Sequence, residues 1–321
     1  MNQRLLELLQ QSEGYCSGEA LSKKLGITRS AVWKQMKQLR EEGYLIHSSS
    51  KKGYCLEKGY LNRHEIMEGL QGTKIGRELY LSSCVSSTNE WASEMSGQAA
   101  DGSVFLAECQ TKGRGRKGKI WSSPFKEGLF FSVLLYPPIA PFQVMRITLC
   151  AGMAVCKGIY DVAGVMPEIK WPNDIVLDGK KLCGILAEMR AEAERIVHVV
   201  IGIGINVNQT SFSEELSSIA TSLRLHTGRE WNRNQLAAAV CSRLEDYVRL
   251  LLEDKFLIEE YRGMCVTLGK EVRVKSVLEE YQAKAVDITD HGELLVELPG
   301  GSRKAVGAGE VSVRGLLGYS D

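Results

Sequence analysis

Nine cysteines and five histidines are present, yet there is no C-x-x-C pair and no cluster of histidines. The spacings that build a zinc site are therefore missing, and no metal-ligating side-chain set is expected. An odd, scattered set of cysteines reads as free, mostly buried thiols in a reducing cytosol. No long hydrophobic run survives either. Ile147 to Met166 is broken by Lys157 and Asp161, which argues against a membrane span. The opening MNQRLLELLQQSEG starts an amphipathic helix without the apolar core of a signal peptide. Repeats and low-complexity tracts are also lacking. What remains is an ordinary globular composition, 44% hydrophobic and 25% charged over 321 residues, enough for two or three domains.

Net charge is only +1, but it is unevenly placed. Residues 1–62 carry ten Lys or Arg against six Glu, and the remainder 30 basic against 33 acidic residues. The basic excess sits where it could meet nucleic acid. Leu5, Leu6, Leu8 and Leu9 give a first helix its apolar face. Ser17 caps a second helix with Leu21 and Leu25 on one side, and Thr28 caps a third with Val32, Met36 and Leu39 inward. The tight Leu-Gly-Ile-Thr link makes a helix-turn-helix. Tyr44-Leu-Ile-His and Tyr54-Cys-Leu flank a Ser-Ser-Ser-Lys-Lys-Gly tip, which adds a wing. Thr28, Arg29, Ser30, Trp33, Lys34 and Lys37 are the candidate DNA-reading face, continued by Arg40, with Lys51 and Lys52 reaching phosphates. A winged module used for protein contacts is the alternative.

Residues 57–63 read as a linker, giving domains at 1–62, 63–265 and 266–321. Beyond it, strands are expected at 79–83, 103–108, 128–136, 168–171, 175–177, 181–189 and 195–206, with Asp178-Gly179 as a hairpin turn. Helices are expected at 88–96, 142–162 and 231–262. Strand-rich stretches separated by single helices favour an α+β fold with a mixed sheet over a doubly wound one. Four short alternating strands (Val272-Arg-Val-Lys, Ala283-Lys-Ala-Val, Leu294-Leu-Val-Glu, Val311-Ser-Val-Arg) then predict a small SH3-like β-barrel.

One loop raises a chemical question. In QTKGRGRKGKIWSS, Gln110 to Ser123, the glycines 113, 115 and 118 spell G-x-G-x-x-G after a buried strand. A dinucleotide fingerprint needs a helix to open next, whereas two serines and Pro124 follow, so that reading is rejected. Three glycines and five cations between Lys112 and Lys119 make a flexible, positive segment that orders around an anion, or else a merely solvated basic loop. Ser86-Ser-Thr-Asn89 either caps a helix or binds a small neutral ligand. Lys170-Trp-Pro-Asn-Asp174 sets an aromatic and an amide–carboxylate pair at a strand end, or forms a Pro-fixed turn. Lys181-Leu-Cys-Gly-Ile-Leu186 begins a buried strand with a cation. Gly202-Ile-Gly-Ile-Asn206 leaves a slot where a flat apolar body could lie.

The order and spacing of these five motifs, with the winged module before them and the small β domain after, resemble the bifunctional biotin protein ligases of the biotin-operon repressor type over essentially the whole length. Departures are mild: Lys117 and Lys119 stand where arginine is common, and Cys183 where alanine is common. The resemblance implies that biotin and ATP, with Mg²⁺, give biotinyl-5′-AMP, whose biotinyl group passes to a lysine of a biotin carboxyl carrier protein. No covalent enzyme intermediate is implied, in keeping with the lack of a Ser-His-Asp or Cys-His arrangement. It also implies operator DNA as a partner, a homodimer favoured by the adenylate, and a cytoplasmic protein.

Residue by residue, the resemblance makes Arg116 and Lys181 the catalytic cations. Ser87, Thr88, Asn89 and Gln110 serve the ureido ring of biotin. Gly113, Arg114 and Gly115 join the biotin list with Arg116 and Lys181, Arg114 holding the loop's shape and Gly115 letting backbone N–H groups approach. Gly184, Gly202 and Gly204 floor the bicycle, while Asp174 and Asn206 join Arg116 at the nucleotide. The cationic loop becomes a lid, disordered when empty and closed over the adenylate. A biotin sensor without catalysis, a lipoate-type ligase, and a ligase whose winged module no longer binds DNA remain open.

Overall fold

The computed structural model describes residues 2–192, 195–275, 280–307 and 312–315. The N-terminal module is built from α1 (Asn2–Gln11), α2 (Gly18–Leu25), α3 (Arg29–Glu41) and the hairpin β1 (Ile46–Ser49) with β2 (Gly53–Leu56). Both caps form: Ala20 N donates to Ser17 Oγ at 3.1 Å, and Ala31 N to Thr28 Oγ1 at 3.2 Å. Gly26, at φ 67°, turns the chain between α2 and α3. Leu5, Leu9, Leu21, Val32, Met36 and Leu39 close a core of their own with Tyr44, Ile46 and Leu56.

The central part runs α4 (Arg63–Gly69), β3 (Leu79–Ser82), α5 (Thr88–Glu94), β4 (Ser103–Ala107), β5 (Gly128–Leu135), α6 (Val144–Ala163), β6 (Glu168–Lys170), β7 (Asp174–Leu177), β8 (Lys180–Glu192) and β9 (Arg195–Asn206). Then come α7 (Glu214–Ser217), α8 (Leu223–Thr227), α9 (Arg233–Leu252) and α10 (Ile258–Met264). Seven strands form one sheet in the order β3-β4-β5-β9-β8-β7-β6, parallel only between β3 and β4. This is the expected mixed α+β sheet. β4 and β5 are buried on both faces: Val104, Leu106 and Val133 point into the main core, Phe105 and Leu134 into a second cluster under α5. That explains apolar runs without alternation. Asp178 (φ 50°) and Gly179 (φ 72°) make the two-residue turn between β7 and β8.

Helix α6 has the length and apolarity that a membrane crossing needs, but Ile147 through Cys156 are buried in the core, between the sheet and α9. Gly158 lets the two helices approach, since a Cβ there would lie 2.9 Å from Val240 N. The single helix expected at 231–262 is two. α9 ends where Lys255 N donates to Leu250 O at 2.8 Å across Asp254, which sits at φ 56°, and the chain restarts in α10.

The C-terminal strands β10 (Glu271–Lys275), β11 (Glu280–Ile288), β12 (Leu294–Glu297), β13 (Arg303–Val306) and β14 (Ser312–Gly315) form an antiparallel sheet in the order β13-β12-β11-β10-β14. The expected barrel is not closed: among the described residues no ladder joins β13 to β14. Closure is not needed for burial, because Val272, Val274, Ala283, Ala285, Ile288, Leu294, Val296 and Val306 share one core with the central part. Val311, placed in the last expected strand, lies outside the described residues.

The expectation of free thiols fails at one pair. Cys84 and Cys109 are disulfide-bonded, with Cα atoms 4.8 Å apart, because β3 and β4 run in parallel register and end side by side. The other seven are free, five of them buried, and burial pushes the Cys241 thiol up to about 12.

His198, on β9, is buried against α5, with Nδ1 2.8 Å from Ser96 Oγ and Nε2 3.2 Å from Ser93 Oγ. Burial, and then the charge of Arg190, hold its pKa below the usual histidine value. Protonation therefore favours the unfolded chain. Stability is expected to fall as pH drops below about 6.5 and through the folded value. Urea midpoints measured between pH 8 and pH 5.5 should decline in the parent and decline less in His198→Gln; equal slopes contradict the assignment.

Candidate active site

The ends of β3 and β4 carry the site. Beyond the strands the two segments stay paired: Thr111 N donates to Val85 O at 2.9 Å and Lys112 N to Ser86 O at 2.8 Å. The Ser86–Asn89 stretch and the root of the cationic loop thus rise together. Ser87 stands at the start of α5 but its hydroxyl makes no capping bond, so the capping alternative fails for it. Ser87, Thr88 and Asn89 are all buried. Gln110 Oε1 accepts from Thr88 N at 2.8 Å and from Thr88 Oγ1 at 3.1 Å, while Gln110 Nε2 donates to Ser123 Oγ at 2.9 Å. Ser132 Oγ, on β5, lies 2.6 Å from Asn89 Oδ1 and 2.8 Å from Thr88 Oγ1.

A cavity of about 770 Å³ opens between this cluster, β8, β9 and the loop. Ser87, Thr88, Asn89, Gln110, Arg114, Gly115, Arg116, Asp174, Lys181, Gly184, Gly202, Gly204 and Asn206 all line it. Gly113 does not. A Cβ there would lie 2.4 Å from Trp121 O and 2.8 Å from Ser123 Oγ, so its glycine serves the loop's own folding.

The loop is a small hairpin. Gly115 N donates to Lys119 O at 2.7 Å and Trp121 N to Gly113 O at 2.9 Å. The Gly115 N–H is therefore engaged inside the loop and is not itself one of the backbone donors expected to approach a ligand. Protein acceptors also meet the loop's charge, which sequence alone left to an outside anion. Arg114 Nη2 lies 2.8 Å from Glu188 Oε1, and Arg114 Nη1 3.6 Å from Glu90 Oε1. Arg116 Nη1 donates to Asn173 Oδ1 at 2.9 Å. Burial is the main influence holding the Arg116 pKa below its ordinary value, and Asp174 pulls it back up. Lys181 Nζ is 2.6 Å from Asp174 Oδ1. Lys181 thus pairs with Asp174, and Arg116 lies within the field of the same carboxylate, all three on the cavity's lining.

The glycines do not form a bare floor. A Cβ at Gly202 would lie 2.1 Å from Asn89 Oδ1, and Cβ atoms at Gly184 and Gly204 would lie 2.9 and 2.5 Å from the Trp121 ring. They make room for these two side chains. Trp121 is one residue that sequence reasoning missed; a lone aromatic closing a run of cations was its only signal. Its indole covers Gly184 and Gly204, sits 5.4 Å beneath Lys181 Nζ, and its buried Nε1–H has no hydrogen-bond partner.

Asn206 turns its amide to the following segment, donating to Thr221 O at 3.0 Å and accepting from Gln209 Nε2 at 3.2 Å. That segment supplies an unforeseen apolar wall of Phe212, Leu216, Ile219 and Ala220 beyond Lys181. Trp171, whose bond to Pro172 is cis, is 2% exposed. Its N donates to Thr267 Oγ1 at 2.9 Å and its Nε1 to Gly292 O at 3.0 Å. It joins the small β domain to the cavity's edge.

On the N-terminal module Arg29, Ser30, Trp33, Lys34, Lys37, Lys51 and Lys52 are all exposed. Thr28 holds the cap of α3. Arg40 is exposed as well, but its guanidinium is engaged, donating to Ile46 O at 2.9 Å. Among the described residues no group of three or more His, Cys, Asp or Glu is arranged to hold a metal.

Comparison with known proteins agrees with this geometry. The Biotin/lipoate A/B protein ligase family matches residues 81–206, an HTH domain residues 2–55, and the Biotin protein ligase C terminal domain residues 267–314. The chain is 38% identical over 315 residues to the bifunctional ligase/repressor BirA of Bacillus subtilis (strain 168), covering 95% of this chain and 96% of that one. To its Escherichia coli (strain K12) namesake it is 28% identical over 315 residues, covering 97% and 96%. Among solved structures, the biotin protein ligase from Aquifex aeolicus in complex with biotin and ATP superposes with a TM-score of 0.66 at 29% identity, over 74% of this chain and 99% of that one. With an HTH domain, a ligase domain and a C-terminal ligase domain all matched in order, this chain belongs to the biotin protein ligases of the bifunctional ligase/repressor type.

Proposed function

We propose that this protein is an ATP-dependent biotin protein ligase that also represses biotin genes by binding operator DNA. The observation that carries the ligase reading is Lys181 paired with Asp174, with Arg116 in the field of the same carboxylate, between a polar slot and an apolar wall. Biotin carboxylate and ATP triphosphate repel one another, so their meeting requires fixed cations where charge builds on the α-phosphate. The carboxylate oxygen attacks that phosphorus, the bond to the β-phosphate oxygen breaks, and pyrophosphate leaves. A carrier lysine amine then attacks the acyl carbon, AMP departs, and the amine loses a proton.

In this reading Ser87, Thr88, Asn89 and Gln110 hold the ureido ring, and Trp121 with Gly184 and Gly204 bounds the bicycle. Phe212, Leu216, Ile219 and Ala220 face the base of the nucleotide. Asp174 is the carboxylate beside the phosphates that suits Mg²⁺, an ion that takes one or two protein carboxylates and keeps substrate oxygens for the rest. Residues 63–265 are the catalytic unit, 1–62 the DNA unit and 266–321 the docking partner of Trp171. The acceptor is a biotin carboxyl carrier domain, the adenylate-bound form dimerises on a two-part operator, and the protein works in the cytosol.

A biotin sensor has no use for two buried-edge cations flanking a carboxylate, which weighs against the non-catalytic alternative. A linear lipoyl chain matches the polar slot less well than a ureido ring does. Pyrophosphate release with biotin and MgATP, with lipoate as competitor, tests both points: release driven by lipoate alone would replace this reading.

The exposed Lys51 and Lys52 are assigned to phosphates. Lys51→Gln with Lys52→Gln is expected to weaken binding to operator and random DNA alike, and to flatten the log K against log [salt] slope by about 2. Gel shifts at several salt concentrations check this, and an unchanged slope would remove these lysines from the interface.

A further inference from the structure

Glu188 lies on β8, two residues past Leu186 of the cavity lining, half-buried, and belongs to none of the motifs that mark the site. Its two oxygens are divided between two elements. Oε2 accepts from Asn89 Nδ2 at 2.7 Å, and Oε1 pairs with Arg114 Nη2 of the loop at 2.8 Å. The other possible acceptor for Arg114, Glu90, is farther, at 3.6 Å, and accepts from Ser86 Oγ. One carboxylate thus joins α5 to the loop across the sheet.

An ionised carboxylate only accepts hydrogen bonds. Beside Asn89 it has a definite consequence: the amide NH₂ must face Glu188, where Leu186 O, 3.2 Å away, takes its second hydrogen. Asn89 Oδ1 is then turned toward Ser132 and the space above Gly202. A flipped amide would offer a donor there instead.

We infer that Glu188 is a positioning residue with two coupled tasks, fixing Asn89 as a hydrogen-bond acceptor in the slot and latching the cationic loop through Arg114. It touches no reacting atom. The inference rests on the ligase reading for its substrate, a ring with N–H donors, but the latch itself can be read without substrate. Glu188→Gln keeps the size, breaks the ion pair, and lets either end of the amide face Asn89. Because both charged groups are partly exposed, the latch effect is modest, about two- to fivefold.

The test uses the full chain as parent, Arg114→Gln, Glu188→Gln and the double variant. Tryptic cleavage after Arg116, Lys117 or Lys119, sites that every variant keeps, should speed without ligands about two- to fivefold in each single variant, with the double variant no faster than either. Loss of biotinyl-5′-AMP should be faster in Glu188→Gln, which disturbs both tasks, than in Arg114→Gln, and no faster in the double variant than in Glu188→Gln. The KM for biotin should rise more in Glu188→Gln than in Arg114→Gln, a split that a purely structural role does not produce. Multiplying effects in the double variant, an unchanged biotin KM in Glu188→Gln, or a drop in unfolding midpoint with faster cleavage everywhere each overturn the inference. If the parent itself releases no pyrophosphate from biotin and MgATP, the ligase reading fails, and the ligand-free cleavage still decides the latch.

Discussion

Arg116→Gly is expected to leave the unfolding midpoint unchanged while biotinyl-5′-AMP leaves the protein roughly 10- to 150-fold faster, the range given by losing one charge-assisted hydrogen bond. The side chain belongs to a hairpin outside the main core, so little packing is lost. Its support is specific: Asn173 Oδ1 accepts from Nη1 at 2.9 Å. Asn173 is itself tied to β8, its Nδ2 donating to Ile185 O and its backbone oxygen accepting from Ile185 N, both at 2.9 Å. Burial depresses the Arg116 pKa, but a guanidinium stays charged at neutral pH. A rigid, partly desolvated cation aimed between Asp174 and the slot interacts with phosphate more strongly than a solvated one. Stopped-flow chase of labelled adenylate measures the rate, and a change below threefold would move the main anionic contact to Lys181.

Arg233→Met is expected to destabilise the fold by about 3–5 kcal/mol, the cost of leaving a buried charge without its partner. Arg233 and Glu108 are only 3% and 5% exposed in their side chains, and Arg233 Nη2 lies 2.7 Å from Glu108 Oε2. The pair also holds the linker: Arg233 donates to Gly59 O and to Gly128 O, and Glu108 accepts from Leu61 N. Removing the cation strands a carboxylate and two carbonyls together. Arg233→Met with Glu108→Gln should recover part of the loss, because no bare charge remains. Urea unfolding measures both. A single-variant cost under 1 kcal/mol would mean that water reaches the site.

How much was legible in the sequence follows from how local each signal is. Caps such as Ser17 and Thr28, and the Asp178-Gly179 turn, act within a few residues, and they stand as read. The candidate ligand-site residues within the motifs also gather around one cavity, since strand ends bring them there, with Gly113 the exception. Long-range partnerships were not legible. Glu188 meets Arg114 only because β8 crosses beneath the loop, and Trp121 fills the glycine slot only because the hairpin folds back. The Cys84–Cys109 bond depends on parallel strand register, and the open terminal sheet on a core shared with α6. The break at Asp254 was hidden by three leucines that continue the helical pattern up to it.

All these parts serve one transfer, so the mass of a biotin carboxyl carrier domain is the decisive quantity. Incubated with this protein, biotin and MgATP, the carrier should gain a single biotinyl group on a lysine, and gain nothing when ATP is left out. A carrier of unchanged mass, with the protein folded and both substrates present, would contradict the account at its centre.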